Sequence, residues 1–336
     1  MHQSSCRLSL SAAAIALGAT TVISTASATD LSYTTDWKAQ AEHGGMYQAA
    51  ATGLYEKYGL NVTLRMGGPS VNTMQMVASG ASEMATGSNS FFPLNMVRAG
   101  SSGLAVMAMF QKDPQVLITH ASHNIDTLAE MKGLPIMISA GSVDTFWVWL
   151  KSAYGFEDSQ IRPYTFNMTP FIVDEAAIQQ GYLSSEPYML EQEGIAIDTF
   201  LLADSGYPAY SSLALVSGDF YANNKDAVQA FVDATTEGWM SYLYGDPSPA
   251  NALIKSDNPE MTDAIIANGI AKMKEFGILM SGDAESLGIG AMTDERWKTF
   301  FDIMVAEGVY DADLDYKSAY TLEFINKGVG LDMLPQ

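Results

Sequence analysis

From residue 28 onward, apolar and polar positions alternate between two periods. LSYTTDW (31–37) reads as a strand, and in GMYQAAATGLYEKYG (45–59) the residues Tyr47, Ala50, Leu54 and Tyr58 recur at helical spacing, closed by Gly59. NVTLRMGG (61–68) returns to strand character, and NTMQMVASG (72–80) is a helix ending at Gly80. EMATGS (83–88) is a short strand, NSFFPLNMVRAG a helix and GLAVMAMFQ (103–111) a continuous apolar strand. Strand, helix, strand in units of this length predicts a mostly parallel sheet covered by helices.

The same grammar restarts with PIMIS (135–139), SVDTFWVWLKSAYG (142–155), IRPYTF (161–166), FIVDEAAIQQG (171–181), YLSSE (182–186) and PYMLEQEGI. QVLITHASHN (115–124) precedes this series and YPAYSSLALVSGDF (207–220) follows it, both extended and rich in aromatic or β-branched residues. They read as two crossings between domains. One lobe then takes 29–115 together with 212–336, and the other takes 116–211. From Ala227 the pattern is helical, with DERWKTFFDIMVAEG opening at a Thr293 cap with Glu295 nearby.

The first 28 residues carry a different pattern: Arg7, an apolar run diluted by small and hydroxyl residues, and Ala26-Ser27-Ala28. This is the form of a secretory signal cleaved after Ala28, and it predicts a periplasmic protein. The lone cysteine, Cys6, lies within it. Such a mature chain has no disulfide, thiol nucleophile or iron–sulfur cluster, and His43, His120 and His123 lack metalloprotease spacing. No metal or cofactor is expected. Seventeen Lys and Arg against 38 Asp and Glu give a net charge of -21, which argues against a nucleic-acid partner.

In open α/β sheets ligands bind beyond the carboxyl ends of the strands. That rule selects loops 36–47, 67–72, 86–92, 140–147, 184–188 and 204–210, whose polar residues are acidic, amide or hydroxyl types interleaved with aromatics; Tyr210 closes the last loop. Lys38 is their only permanent cation, so a neutral or weakly basic flat heterocycle fits better than an anion, with Glu186 in SSEPYM as acceptor. Anion binding at helix N-termini is the alternative. Blander readings stand beside these: Trp147 and Trp149 cannot both face one way on a helix, Tyr47 shares its spacing with core positions, Gly67-Gly68-Pro69 can be a plain turn, and His43 has no nucleophile partner.

The run DWKAQAEHGGMYQAAATGLYEKYGLNVTLRMGGPSVNTMQMVASG resembles the opening of the substrate-binding proteins of ABC importers for thiamine pyrimidine precursors, sulfonates and nitrate. SSEPYMLEQEG, LLADSGYPAY and EGWMSYL extend the resemblance over nearly the whole mature chain. It departs at Lys38-Ala39, where pyrimidine binders tend to carry a proline. The resemblance implies a two-lobed type II periplasmic binding protein with an inter-lobe ligand cleft, whose closure is read by a membrane permease. It carries ligand contact onto Trp37, His43, Tyr47, Ser88, Asn89, Ser142, Asp144, Glu186 and Tyr188. A small anion is the alternative ligand. Two other readings are a pyrimidine-synthesis enzyme, which the absence of a mature cysteine and the export signal oppose, and a sensory subunit without an importer. Gly44-Gly45 is expected to open a helix at one wall of the cleft, with Asp144 and Glu186 opposite.

Overall fold

The computed structural model describes residues 28–334. The predicted signal segment, apart from Ala28, lies outside them. Ten strands follow along the chain: β1 (Thr29–Thr34), β2 (Leu60–Arg65), β3 (Met84–Asn89), β4 (Leu104–Phe110), β5 (Gln115–His120), β6 (Ile136–Ile138), β7 (Ile161–Pro163), β8 (Ile178–Tyr182), β9 (Ile197–Leu201) and β10 (Ser211–Val216). They form two five-stranded sheets, ordered β2-β1-β3-β10-β4 in the first lobe and β7-β6-β8-β5-β9 in the second.

The two-lobed α/β architecture is the expected one, but the sheets are mixed rather than mostly parallel. In the first, β1 runs parallel to β2 and β3, while β10 is antiparallel to β3 and β4. The second repeats the arrangement, with β6 parallel to β7 and β8, and β5 antiparallel to β8 and β9. Connectivity explains the difference. Strands β5 and β10 are reached from the opposite lobe, without the crossover helix that keeps consecutive strands parallel.

Local sequence accounts for most elements. The apolar run of β4 is buried at every residue although β4 ends its sheet. Later chain covers its edge: the Ala108 N–H donates to Gly290 O at 3.1 Å and the Thr321 N–H to Ala105 O at 3.0 Å. Covering of this kind keeps an edge strand from pairing with other chains. Helix Thr73–Ser79 is capped by the Asn72 side chain and ended by a left-handed Gly80, and helix Asp294–Ala306 is capped by Thr293. The single helix expected over 45–59 is instead two, Gly44–Ala51 and Leu54–Lys57, separated by Gly53 at φ +72°.

Gly44 and Gly45 are there for close packing. A Cβ on Gly44 would stand 2.0 Å from the Tyr242 ring, and one on Gly45 would stand 2.1 Å from the Trp239 ring. Both aromatics belong to helix Lys225–Tyr244. The pair therefore seats helix Gly44–Ala51 on that helix.

Two short crossings join the lobes, from Phe110 to Gln115 and from Leu201 to Ser211. Arg296 binds both. Its guanidinium donates to the carbonyls of Gln111, Pro208 and Ala209 and lies 4.0 Å from the Tyr210 ring centre. Lys112 and Asp204 form a further ion pair between the crossings at 2.7 Å.

Candidate functional site at the lobe junction

At the carboxyl end of β1, the Thr35 hydroxyl donates to Trp37 O at 2.7 Å and accepts from the Gly67 N–H at 2.9 Å. A Cβ at Gly67 would lie 2.0 Å from Thr35 O, so this glycine permits a backbone approach that no other residue allows. The turn it makes holds Asp36 and Trp37 at the junction between lobes.

Asp36 is shared by two neighbours. Its Oδ2 accepts from the Ser88 hydroxyl at 2.6 Å, and its Oδ1 lies 3.4 Å from His43 Nε2. His43 is 3% exposed and its Nδ1 has no protein partner among the described residues. The carboxylate stands between hydroxyl and imidazole, whereas nucleophilic catalysis by serine needs the imidazole on the hydroxyl. Geometrically this is a hydrogen-bonding wall.

Glu42, which sequence reasoning passed over in favour of its neighbour His43, is one of the links between lobes. It is buried, and its carboxylate accepts from the Ser184 hydroxyl of the second lobe. Burial raises its pKa to about 6, opposed by its own backbone N–H and by His43, while Glu186 pushes it further up. The Ser184 carbonyl accepts from Asn268 Nδ2 at 3.2 Å, so Ser184 is held by two elements of the first lobe.

Glu186 opens helix Glu186–Gln192 in the second lobe and is itself buried. Its Oε1 accepts from the Tyr164 hydroxyl at 2.9 Å and its Oε2 from the Tyr182 N–H at 2.8 Å. Burial raises its pKa, against these donors. Its own backbone N–H and the Ser185 hydroxyl also favour the charged form, so this carboxylate is held by several groups of its own lobe. The Tyr182 phenol, in the second lobe, is driven far above its ordinary pKa by burial and by Asp113, Glu42 and Asp36, carboxyls of the first crossing and the first lobe. Asp113, in the first crossing, is 1% exposed; burial raises its pKa to about 7, and its Oδ2 has no partner among the described residues.

Trp37 stands partly exposed at the rim, 5.2 Å between ring centres from Phe166 of the second lobe. Phe166 in turn lies 5.2 Å from Tyr164, the residue that donates to Glu186. Trp37, Phe166, Tyr164 and Glu186 thus form one series of contacts across the junction.

The remaining predicted residues divide. Ser88 joins Asp36, and Asn89 is buried with its Oδ1 accepting from the Phe91 N–H at 3.2 Å. Ser142 pairs with the Ser139 hydroxyl at 2.9 Å beyond the end of β6. Asp144 is exposed and Tyr188 partly exposed in the second lobe. Tyr47 and Tyr210 are brought elsewhere. Tyr47 is fully buried and donates to Asp257 at 2.8 Å, and Tyr210 is fully buried, accepts from the Thr293 N–H at 3.0 Å and packs beneath Arg296. Helical spacing marks a face without saying what it meets, and for Tyr47 the answer is helix Ser248–Asp257. Trp147 and Trp149 are both buried; Trp147 donates to Asp158 at 3.0 Å and Trp149 packs on Tyr207. Glu42, Phe166 and Tyr182 escaped notice because their roles depend on contacts with the other lobe.

Among the described residues, no group of three or more His, Cys, Asp or Glu is placed to hold a metal, and no helix is long and apolar enough to cross a membrane.

This chain is similar to known proteins over most of its length. It is 24% identical over 295 residues to the riboflavin-binding protein RibY of Chloroflexus aurantiacus, covering 84% of this chain and 82% of that one. It is 25% identical over 273 residues to the formylaminopyrimidine-binding protein of Halalkalibacterium halodurans, covering 78% and 81%. Solved structures of the same fold include the periplasmic aliphatic sulphonate binding protein SsuA of Escherichia coli, with TM-score 0.67, 14% identity and coverage of 86% and 91%. The desulfurization enzyme DSZB shares it too, with TM-score 0.54, 12% identity and coverage of 90% and 99%. Residues 40–250 match the family model described as NMT1/THI5 like, and with the two mixed sheets and the acidic, aromatic junction between them, the chain belongs to the NMT1/THI5-like family of substrate-binding proteins.

Proposed function

We propose that this protein is the periplasmic solute-binding subunit of an ABC importer, with lobes 29–115 plus 212–336 and 116–211, and that it binds a flat, neutral or weakly basic heterocycle unchanged. An aminopyrimidine such as a thiamine precursor, or a flavin, is the favoured class. The observation that carries this reading is the junction between Trp37 and Glu186. There, stacking surface is combined with carboxyls from both lobes, Asp36 and Glu42 on one side and Glu186 on the other. A ring with an amino group gains stacking on its face and a charge-assisted hydrogen bond at its edge. A sulfonate or nitrate would meet carboxylates instead of the guanidinium or ammonium groups that suit it. Lys38 is paired with Glu260 at 2.6 Å, and Arg296 directs its donors to the crossings. Relatives that bind riboflavin and formylaminopyrimidine support the same class.

Purified mature protein tests this by thermal shift against formylaminopyrimidine, riboflavin, purines, nitrate and alkanesulfonates, since a ligand bound to the native state raises its midpoint by mass action. Midpoint increases with the heterocycles are expected, with each ligand recovered unaltered. Increases with anions alone would overturn the assignment of ligand class, and recovery of a product would favour an enzyme. Transport rather than sensing is checked by uptake in cells lacking the protein or the permease.

A further inference from the structure

Phe166 is in an unusual conformation for its residue type. It lies between β7 and helix Thr169–Val173 at φ +61°, in the left-handed region that suits glycine. Among the described residues, the other non-glycine residues with positive φ are Asn124, Ser212 and Asn326, all small and polar. A bulky residue in this region is an outlier whose strain must be offset by its surroundings. Burial does not supply that offset, because Phe166 is 52% exposed. Its ring does make two specific contacts, with Trp37 of the opposite lobe and with Tyr164, each at 5.2 Å between centres. Through the Tyr164 hydroxyl this aromatic series ends on Glu186.

We propose that Phe166 is the covering residue of the second lobe: its ring closes against Trp37 over the junction and, with Tyr164, retains a planar ligand beside Glu186. This rests on the proposed ligand class. Local backbone preference would choose glycine at this position, so the ring is retained for what it touches. Its partners are the rim aromatic of the first lobe and the residue that holds the second lobe's carboxyl. Closure then brings an aromatic face from each lobe to one ligand, and opening removes the cover in one motion. Such a residue sets how long a ligand stays more than how fast it arrives.

The test compares wild type with Phe166→Gly, Phe166→Leu and Phe166→Tyr, using riboflavin and formylaminopyrimidine as probes. Association and dissociation are followed by stopped-flow fluorescence; Trp37 is the partly exposed indole, while Trp147, Trp149, Trp239 and Trp297 are buried. Phe166→Gly removes the ring and relieves the backbone, so the unfolding midpoint is expected to hold or rise while dissociation accelerates roughly 10- to 100-fold, the loss of about 1.4–2.8 kcal/mol of retention, with association within about threefold. Phe166→Leu should dissociate nearly as fast, and Phe166→Tyr should match wild type. Dissociation from Phe166→Gly within twofold of wild type would overturn the proposal, as would Phe166→Leu behaving like wild type, because apolar bulk would then suffice. If the wild type bound alkanesulfonates alone, the ligand class would fail. The same variants would then judge the cover separately: faster sulfonate release from Phe166→Gly supports a cover, and unchanged release overturns it.

Discussion

Glu42 and Glu186 are both buried carboxyls at the lobe junction, yet they are held in different ways. Glu186 is served within its own lobe by Tyr164 and Tyr182, whereas Glu42, apart from its own backbone, takes its donor from Ser184 across the junction. The second lobe therefore carries a carboxyl set in place before anything binds. In the first lobe, the Glu42 carboxyl acquires its cross-lobe donor only when the lobes meet. Pre-positioning favours recognition, since less ordering is left to the moment of binding. Dependence on the partner lobe favours reporting closure. On the proposed function, this difference would separate the carboxyl that selects the ligand from the one that registers its arrival.

Asp113 provides the largest test of this contrast, because neither lobe serves its second oxygen. Its Oδ1 accepts from the Gln115 N–H at 3.2 Å, and burial raises its pKa to about 7. A carboxyl whose pKa is higher in the folded than in the unfolded state favours folding while protonated. That contribution is present below about pH 4 and is lost as pH rises towards 7. Asp113→Asn should thus gain stability over wild type progressively across that window, on the order of 4 kcal/mol by pH 8, read as the difference between their denaturation curves. A constant difference from pH 4 to 8 would show that Asp113 is not buried as a charge.

The first lobe's wall rests on the seat of helix Gly44–Ala51, and Gly45→Ala challenges it with a methyl 2.1 Å from the Trp239 ring. A loss of about 1–3 kcal/mol is expected in denaturant titration, with weaker ligand binding as Asp36 and His43 shift. Stability equal to wild type would mean that the helix pair has room to spread. In the second lobe, Glu186→Gln keeps a hydrogen-bonding side chain but removes the charge. Affinity for an aminopyrimidine should fall by about 1.5–3 kcal/mol in calorimetry while the unfolding midpoint changes little. Unchanged affinity would move recognition to Glu42 and erase the division between the two carboxyls.

Much of the scaffold was legible because local signals agree with the fold. The continuous apolar run of β4, the Asn72 and Thr293 caps and the left-handed Gly80 each leave a direct trace in the sequence. Strand direction does not, since period-two patterning is the same in parallel and antiparallel strands, and β5 and β10 were reversed for that reason. Within the site, Trp37, Ser88 and Glu186 come from strand-end loops that the general rule selects. Tyr47 and Tyr210 satisfy the same rule but turn inward to Asp257 and to Thr293 with Arg296. Contacts such as Arg296 to Gln111, 185 positions apart, have no local signature. The strained φ of Phe166 is equally invisible, because the sequence there suggests only an ordinary strand end.

The crossings leave from neighbouring strands in both sheets: β4 lies beside β10 in one, and β5 beside β9 in the other. The Leu202 N–H donates to Gln115 O at 3.1 Å, so the second lobe begins and ends at the same place. It is joined to the first as an insert through a narrow neck of two neighbouring crossings. The same neck makes the insert a cassette. Glu186 and Phe166 belong to it, while Arg296, Glu42, Asp36 and Trp37 belong to the host lobe, so grafting the insert would exchange one wall of the proposed site and leave the joint intact.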